Sequence, residues 1–218
     1  MYKKIIIITF FIFFWLVDLW MIYIDERAFL IFPRVLSLSC LIIFYFFSVK
    51  KINVNFYILS FFILVTGALF SLNEYTLLGM LSLIALRISW ISLLLSYKEK
   101  NDHKFIGLIF TLSITIMGVV MYSMYVNTSF FFLSILTSIT LLFLLAISFS
   151  KLVSNGSQFG NKEMFISIMI FVFSDALSGA KKIDGTNTLF IMLSVFLYNI
   201  AYYFLIQALI KKDNKLLL

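Results

Sequence analysis

Long apolar runs recur along the chain, separated only by short clusters of charged or small polar residues. The first extends from Ile5 to Ile24 and stops at Asp25-Glu26-Arg27; the others cover 29–49, 54–72, 75–97, 104–125, 129–150, 163–180 and 187–210. These lengths lie near the roughly 20 residues an α-helix needs to cross a bilayer. Backbone polar groups cannot be left bare in lipid, so such runs predict helices. The first run lacks a small-residue cleavage site and continues through Trp15, Leu16, Trp20 and Met21, which predicts a retained span, not a signal peptide. The pattern predicts an all-α, polytopic membrane helical bundle of about eight transmembrane helices, forming a single integral membrane domain over 1–218.

Composition agrees and removes the soluble alternatives. Of 218 residues, 63% are hydrophobic and 12% charged, and the mean hydropathy is +1.09. Eight spans leave little chain outside the bilayer. The formal net charge of +7 is, in such a protein, first a topology signal. With eight spans, both termini and alternate loops share one side. That side carries twelve lysines: Lys3, Lys4, Lys50, Lys51, Lys98, Lys100, Lys104, Lys151, Lys162, Lys211, Lys212 and Lys215. The opposite side carries Arg27, Arg34, Lys181 and Lys182, and Arg87 lies inside a span. This asymmetry predicts both termini in the cytoplasm, for an integral protein of a bacterial inner membrane.

The same residues narrow the chemistry. No basic aromatic platform points to nucleic acid. One cysteine, Cys40, and one histidine, His103, cannot build a disulfide framework or a multi-His or multi-Cys metal site, so neither a metal nor a cofactor is expected. His103, between Asp102 and Lys104, reads as a solvated loop residue. A G-x-S-x-G elbow is absent, and Gly156 to Lys162 misses a P-loop in spacing and in its missing Ser or Thr.

Sliding the chain by 107 residues lays Ile63–Ser71 over Ile170–Ser178, matching the third span to the seventh. A duplication on this offset would be a 4+4 parallel repeat.

Asp175 is the most informative polar residue. It falls about two thirds of the way along the seventh span, where an ionised carboxylate costs roughly 2.5 to 3.5 kcal/mol on insertion scales. Ser174 precedes it, and Ser178 and Gly179 follow three and four residues on, giving one small, polar helix face. Arg87, in the middle of the fourth span, is its evident charge partner, or a clamp for a phosphate. Paired with Arg87, Asp175 would be ionised; alone in apolar surroundings, it would be protonated. Asp18 and Glu74, at the far ends of the first and third spans, are candidate second carboxylates, or interfacial markers of helix ends. In the last span Asn199, Tyr203 and Gln207 repeat every four residues and share a face, as a polar lining or an interhelical hydrogen-bond seam.

The pattern F-x-x-SD-x-L-x-x-x-x-K from Phe171 to Lys182, followed by Tyr203 and Gln207 as Y-x-x-x-Q, resembles the YhhN family of lysoplasmalogenase-like membrane proteins. The eight-span count and the inside termini fit that resemblance. It implies hydrolysis of the vinyl-ether bond of alkenyl lysophospholipids, releasing a fatty aldehyde and a glycerophospho-base. It also implies a site between helices with Asp175 as catalytic acid, Ser174, Tyr203 and Gln207 beside it and membrane lipids as partners; Arg87, as phosphate clamp, and Asn199, from the polar face of the last span, complete the candidate substrate-binding set. The sequence departs from the family's pattern at three places. The family's third-span Gly-Asp falls on Gly67-Ala68, its fourth-span histidine and aromatic on Arg87 and Trp90, and its Lys-Pro on Phe32-Pro33. Ala68 is also the residue that the internal offset lays over Asp175. Two further readings suit the same residues: a catalytically impaired lipid-binding or structural membrane protein, and a small secondary transporter.

Overall fold

Helices account for every regular element among the described residues. The structure, a computed structural model, describes the backbone of residues 2–26, 29–72, 76–97, 99, 102–124, 131–156, 160–184 and 188–215; within these it leaves the side chains of 113, 116–124, 131, 179–184 and 215 undescribed. The eight helices are α1 (Tyr2–Tyr23), α2 (Ile31–Phe46), α3 (Val54–Ser71), α4 (Thr76–Ser96), α5 (His103–Met124), α6 (Phe131–Asn155), α7 (Asn161–Asp184) and α8 (Thr188–Lys215). Stretches of α1, α3, α4, α6 and α8 are long and apolar enough to cross a bilayer. The chain is a helical membrane protein.

Three helices run past the ends that hydropathy suggests. The apolar runs stop at 150, 180 and 210, whereas α6 continues to Asn155, α7 to Asp184 and α8 to Lys215. A charged residue ends an apolar run but not necessarily a helix. Here Lys151, Lys212 and Asp213 remain helical because they satisfy one another's neighbours inside the bundle. Starts follow local chemistry: the Asn53 side chain accepts the Asn55 N–H ahead of α3, and Asp102 accepts the N–H groups of Lys104 and Phe105 at the start of α5. Pro33 sits in the first turn of α2, where its missing donor costs nothing.

Two glycines sit at helix contacts. A Cβ on Gly67 would lie 2.6 Å from Leu38 Cδ1, the tip of an α2 side chain that packs over the bare backbone of α3. Gly160 has φ +77°, and a Cβ there would stand 2.5 Å from the Ala208 carbonyl oxygen. Both the conformation and the space call for glycine, and the start of α7 docks directly on α8.

Sequence neighbours α1–α2, α2–α3, α3–α4, α5–α6, α6–α7 and α7–α8 pack together, and α1–α8, α2–α8 and α4–α6 add the long-range contacts. The core runs through Leu41, Tyr45, Phe56, Leu59, Leu93, Leu144, Ile168, Leu205 and Leu209. Large apolar side chains such as Phe13, Leu16, Trp20, Phe61 and Phe173 point outward instead. That outward grease is what a lipid-facing surface requires.

Polar contacts gather the start of α1, the end of α2, the end of α4, the starts of α5 and α7 and the ends of α6 and α8 at one end of the bundle. Lys3 lies over the Phe47 ring, Asn214 donates to the Ser48 carbonyl at 3.1 Å, and the Ser150 hydroxyl receives the Asp102 N–H at 3.2 Å. This is the terminal end.

Candidate functional site

Two helices bring ionisable or phenolic groups onto Asp175 of α7. From α4, Arg87 Nη2 donates to Asp175 Oδ2, and Arg87 Nη1 donates to the Thr137 carbonyl on α6. From α8, the Tyr198 hydroxyl donates to Asp175 Oδ1 at 2.6 Å. Each carboxylate oxygen therefore has its own donor. The guanidinium side chain is 3% exposed and the carboxylate side chain 27%, so the pair is buried on the arginine side and open at one edge of the aspartate.

Local sequence explains this convergence. On α7, Phe171, Ser174, Asp175 and Ser178 are spaced by three and four residues and share a side of the helix. On α8, Ser194, Tyr198 and Tyr202 repeat every four. The two stripes meet: Ser174 Oγ donates to the Ser194 carbonyl at 2.9 Å, and the Ser178 and Ser194 hydroxyls are 2.6 Å apart. Small serines let α7 and α8 approach closely and satisfy their own polarity across the seam. Below them Phe171 makes edge contacts with Trp90, Tyr198 and Tyr202, and Trp90 Nε1 points at Met164 Sδ at 3.3 Å. Aromatic rings thus floor the charged site on the side toward the terminal end.

The other sequence candidates take different places. Asp18 is not an interfacial helix end: it is fully buried within α1, and both its oxygens accept from Arg34 of α2 at 3.1 Å, in a bidentate fork. An apolar run ending a few residues later suggested exposure, but Arg34 folds back from the start of α2 and replaces water. The carboxylate is consequently committed to its own arginine and not offered to Asp175. Asn199, also buried, donates to the Val195 carbonyl at 3.1 Å and stands 3.5 Å from the Ser37 hydroxyl, joining α8 to α2. Tyr203 and Gln207 are half-buried on the same helix. The face of α8 that meets Asp175 is instead that of Ser194 and Tyr198. Glu74 lies outside the described residues.

A cleft of about 930 Å³ opens between α1 and α8, lined by Leu19, Tyr23, Thr188, Leu189, Met192, Leu193 and Phe196. Arg87, Asp175 and Tyr198 do not line it.

Sequence reasoning missed a second polar assembly at the terminal end. Lys212 Nζ donates to both Glu99 oxygens at 2.7 Å and to Asn161 Oδ1 at 2.6 Å. Lys151 Nζ reaches Glu99 at 3.2 Å and the Leu94 carbonyl at 2.8 Å. Asp213 accepts from Tyr97 at 2.9 Å and from Tyr45. Lys151, Lys212 and Asp213 are almost completely buried. The lysines read as topology markers, and only their occurrence with Glu99 and Asp213 beyond the apolar runs carried a signal.

No protein-family model, curated protein or solved structure matches this chain. Among the described residues no group of three or more His, Cys, Asp or Glu could hold a metal ion.

Proposed function

We propose that the protein is a YhhN-like integral protein of a bacterial inner membrane, with both termini in the cytoplasm, that hydrolyses the vinyl-ether bond of alkenyl lysophospholipids at Asp175. The twelve lysines on the terminal side against four basic residues opposite support the orientation. The observation that carries the functional reading is the open edge of Asp175, an intramembrane carboxylate held between Arg87 and Tyr198.

Arg87 is a fitting partner for the substrate phosphate, because a guanidinium binds phosphate and carboxylate with the same fork. A phosphate competing for Arg87 frees the Asp175 carboxylate, which takes a proton from water before the chemical step. Asp175 then gives that proton to the alkene carbon remote from the ether oxygen, leaving an oxocarbenium ion. Water adds to the oxocarbenium carbon and returns a proton to Asp175. The hemiacetal collapses to a fatty aldehyde and the glycerol hydroxyl. A single carboxyl serves both steps in turn because the proton it gives comes back from water.

The test is incubation of the purified protein with alkenyl and acyl lysophospholipids, with aldehyde and fatty acid measured by mass spectrometry. Aldehyde release is expected from the alkenyl lipid, reduced by about 10²–10⁴-fold in Asp175→Asn, the range for loss of a general acid. Absence of turnover by well-folded protein sinks the proposal.

A second reading draws on the commitment of the remaining polar groups. Asp18 is spent on Arg34, and Arg87 already serves Asp175 and Thr137. Ala68 supplies no carboxyl where the internal offset would place one. In that reading the chain is a lipid-binding or structural membrane protein whose charge pairs hold helices together.

A further inference from the structure

The lysines of the terminal end fall into two groups. Lys151 and Lys212 are buried on Glu99, and Lys211 pairs with Glu163 at 2.6 Å. Lys3, Lys4, Lys50 and Lys51 are all exposed, and none of the ion pairs among the described residues includes them. Lys3 Nζ stands 6.0 Å above the ring of Phe47, and Lys50 and Lys51 follow Phe47 by three and four residues. A cavity of about 410 Å³ opens here, lined by Tyr2, Lys3, Lys4 and Phe47.

This concentration of charge does not serve the helices that carry it. Lys3 and Lys4 occupy the first turn of α1, which has no acidic residue. That is the positive end of the helix dipole, where cations are disfavoured. The neighbouring acids are turned elsewhere: Asp213 accepts from Tyr45 and Tyr97, and Glu99 faces Lys151 and Lys212. Below the lysines the surface becomes apolar at once, with Ile5, Ile6, Ile43 and Phe47 all strongly exposed. Charge at the bundle rim above bare apolar side chains matches a phospholipid, with its phosphate at the rim and its chains alongside the helices.

We propose that the cavity between the start of α1 and the end of α2 is a binding site for the headgroup of an anionic phospholipid in the leaflet at the terminal end, held by Lys3 and Lys4 of its lining, with Lys50 and Lys51, just beyond Phe47 in the chain, adding positive charge. It is independent of the Asp175 site and of any hydrolase activity. The lysines are point charges with flexible stems, so the site selects for negative charge more than for headgroup shape.

The test is native mass spectrometry of the detergent-solubilised protein, counting phosphatidylglycerol and phosphatidylcholine retained from an equimolar mixture. Wild-type protein is expected to retain phosphatidylglycerol preferentially. The K3Q/K4Q/K50Q/K51Q variant should hold it at least about tenfold more weakly, since each near-surface lysine contributes measurably to anionic lipid attraction. The corresponding four-arginine variant should keep the preference. K104Q/K162Q removes two exposed lysines elsewhere on the same end and should leave retention unchanged. An equal loss in K104Q/K162Q would mean a diffuse basic face and would overturn the site. So would equal retention of both lipids by the wild type. Displacement of phosphatidylglycerol by inorganic phosphate alone would assign the cavity to a free anion and overturn the lipid assignment.

Discussion

Among the described residues two Arg–Asp pairs join helices, and they are built to different ends. Asp18 and Arg34 join α1 to α2 through two parallel hydrogen bonds, and the carboxylate has no exposed surface. Asp175 and Arg87 join α7 to α4 through one nitrogen, with Tyr198 on the remaining oxygen and an edge of the aspartate uncovered. A fork that closes both oxygens leaves a carboxylate nothing further to do. Divided between two donors from different helices, a carboxylate can exchange one of them. The same two residue types therefore make a clasp in one place and a chemically available group in the other.

The most severe way to break this contrast is Arg34→Met. It strands the buried Asp18 carboxylate and should cost about 3–5 kcal/mol, the range for breaking a buried pair from one side. Thermal unfolding in detergent reads this directly, and Asp18→Leu combined with Arg34→Met should recover most of the loss. A single variant as stable as wild type would show that Asp18 has another partner. Tyr198→Phe should cost about 1.5–3 kcal/mol, the worth of a hydrogen bond to a charged group, and it should also slow aldehyde release. Unchanged stability and turnover would remove Tyr198 from the site. Ser194→Ala has the smallest expected effect, about 0.5–1.5 kcal/mol, because Ser174 and Ser178 lose one shared neutral partner. A loss as large as that of Arg34→Met would mean that the serine seam, not the Tyr198–Asp175 hydrogen bond and the apolar packing, holds α7 to α8.

How much of this was legible in the sequence depends on the range of each interaction. Helix count and most boundaries follow from hydropathy, because lipid imposes the same demand on every span: α3 was expected over 54–72 and runs from Val54 to Ser71. The pairing of Arg87 with Asp175 was also readable, since Arg87 is the basic residue placed deep in a span. Asp18 was misjudged because its position near a span end says nothing of Arg34 folding back over it. On α8 the i, i+4 rule singles out Asn199–Tyr203–Gln207, while Ser194–Tyr198–Tyr202, the stripe that meets α7, has the same period and was passed over. Periodicity cannot say which faces α7; the backbone contact of Gly160 with Ala208 is one of the tertiary facts that set the rotation. The cluster of Glu99, Lys151, Lys212 and Asp213 was hidden for a related reason. Hydropathy scores each charged residue as an exit from the membrane and does not register that opposite charges on different helices can meet.

That cluster also depends on residues made at different times. Tyr45, Tyr97, Glu99, Lys151 and Asn161 all precede Lys212 and Asp213 in the chain, so all of them are synthesised before their last partners. Glu99 finds Lys151 once α6 is in place, but two tyrosine hydroxyls and the Asn161 amide oxygen wait for α8. Unmatched polar groups of this kind hold the nascent bundle loosely, because each is costly to bury without a partner. Insertion of the eighth helix supplies a cation and an anion in consecutive residues and matches them together, so the end that was laid down first is the end completed last.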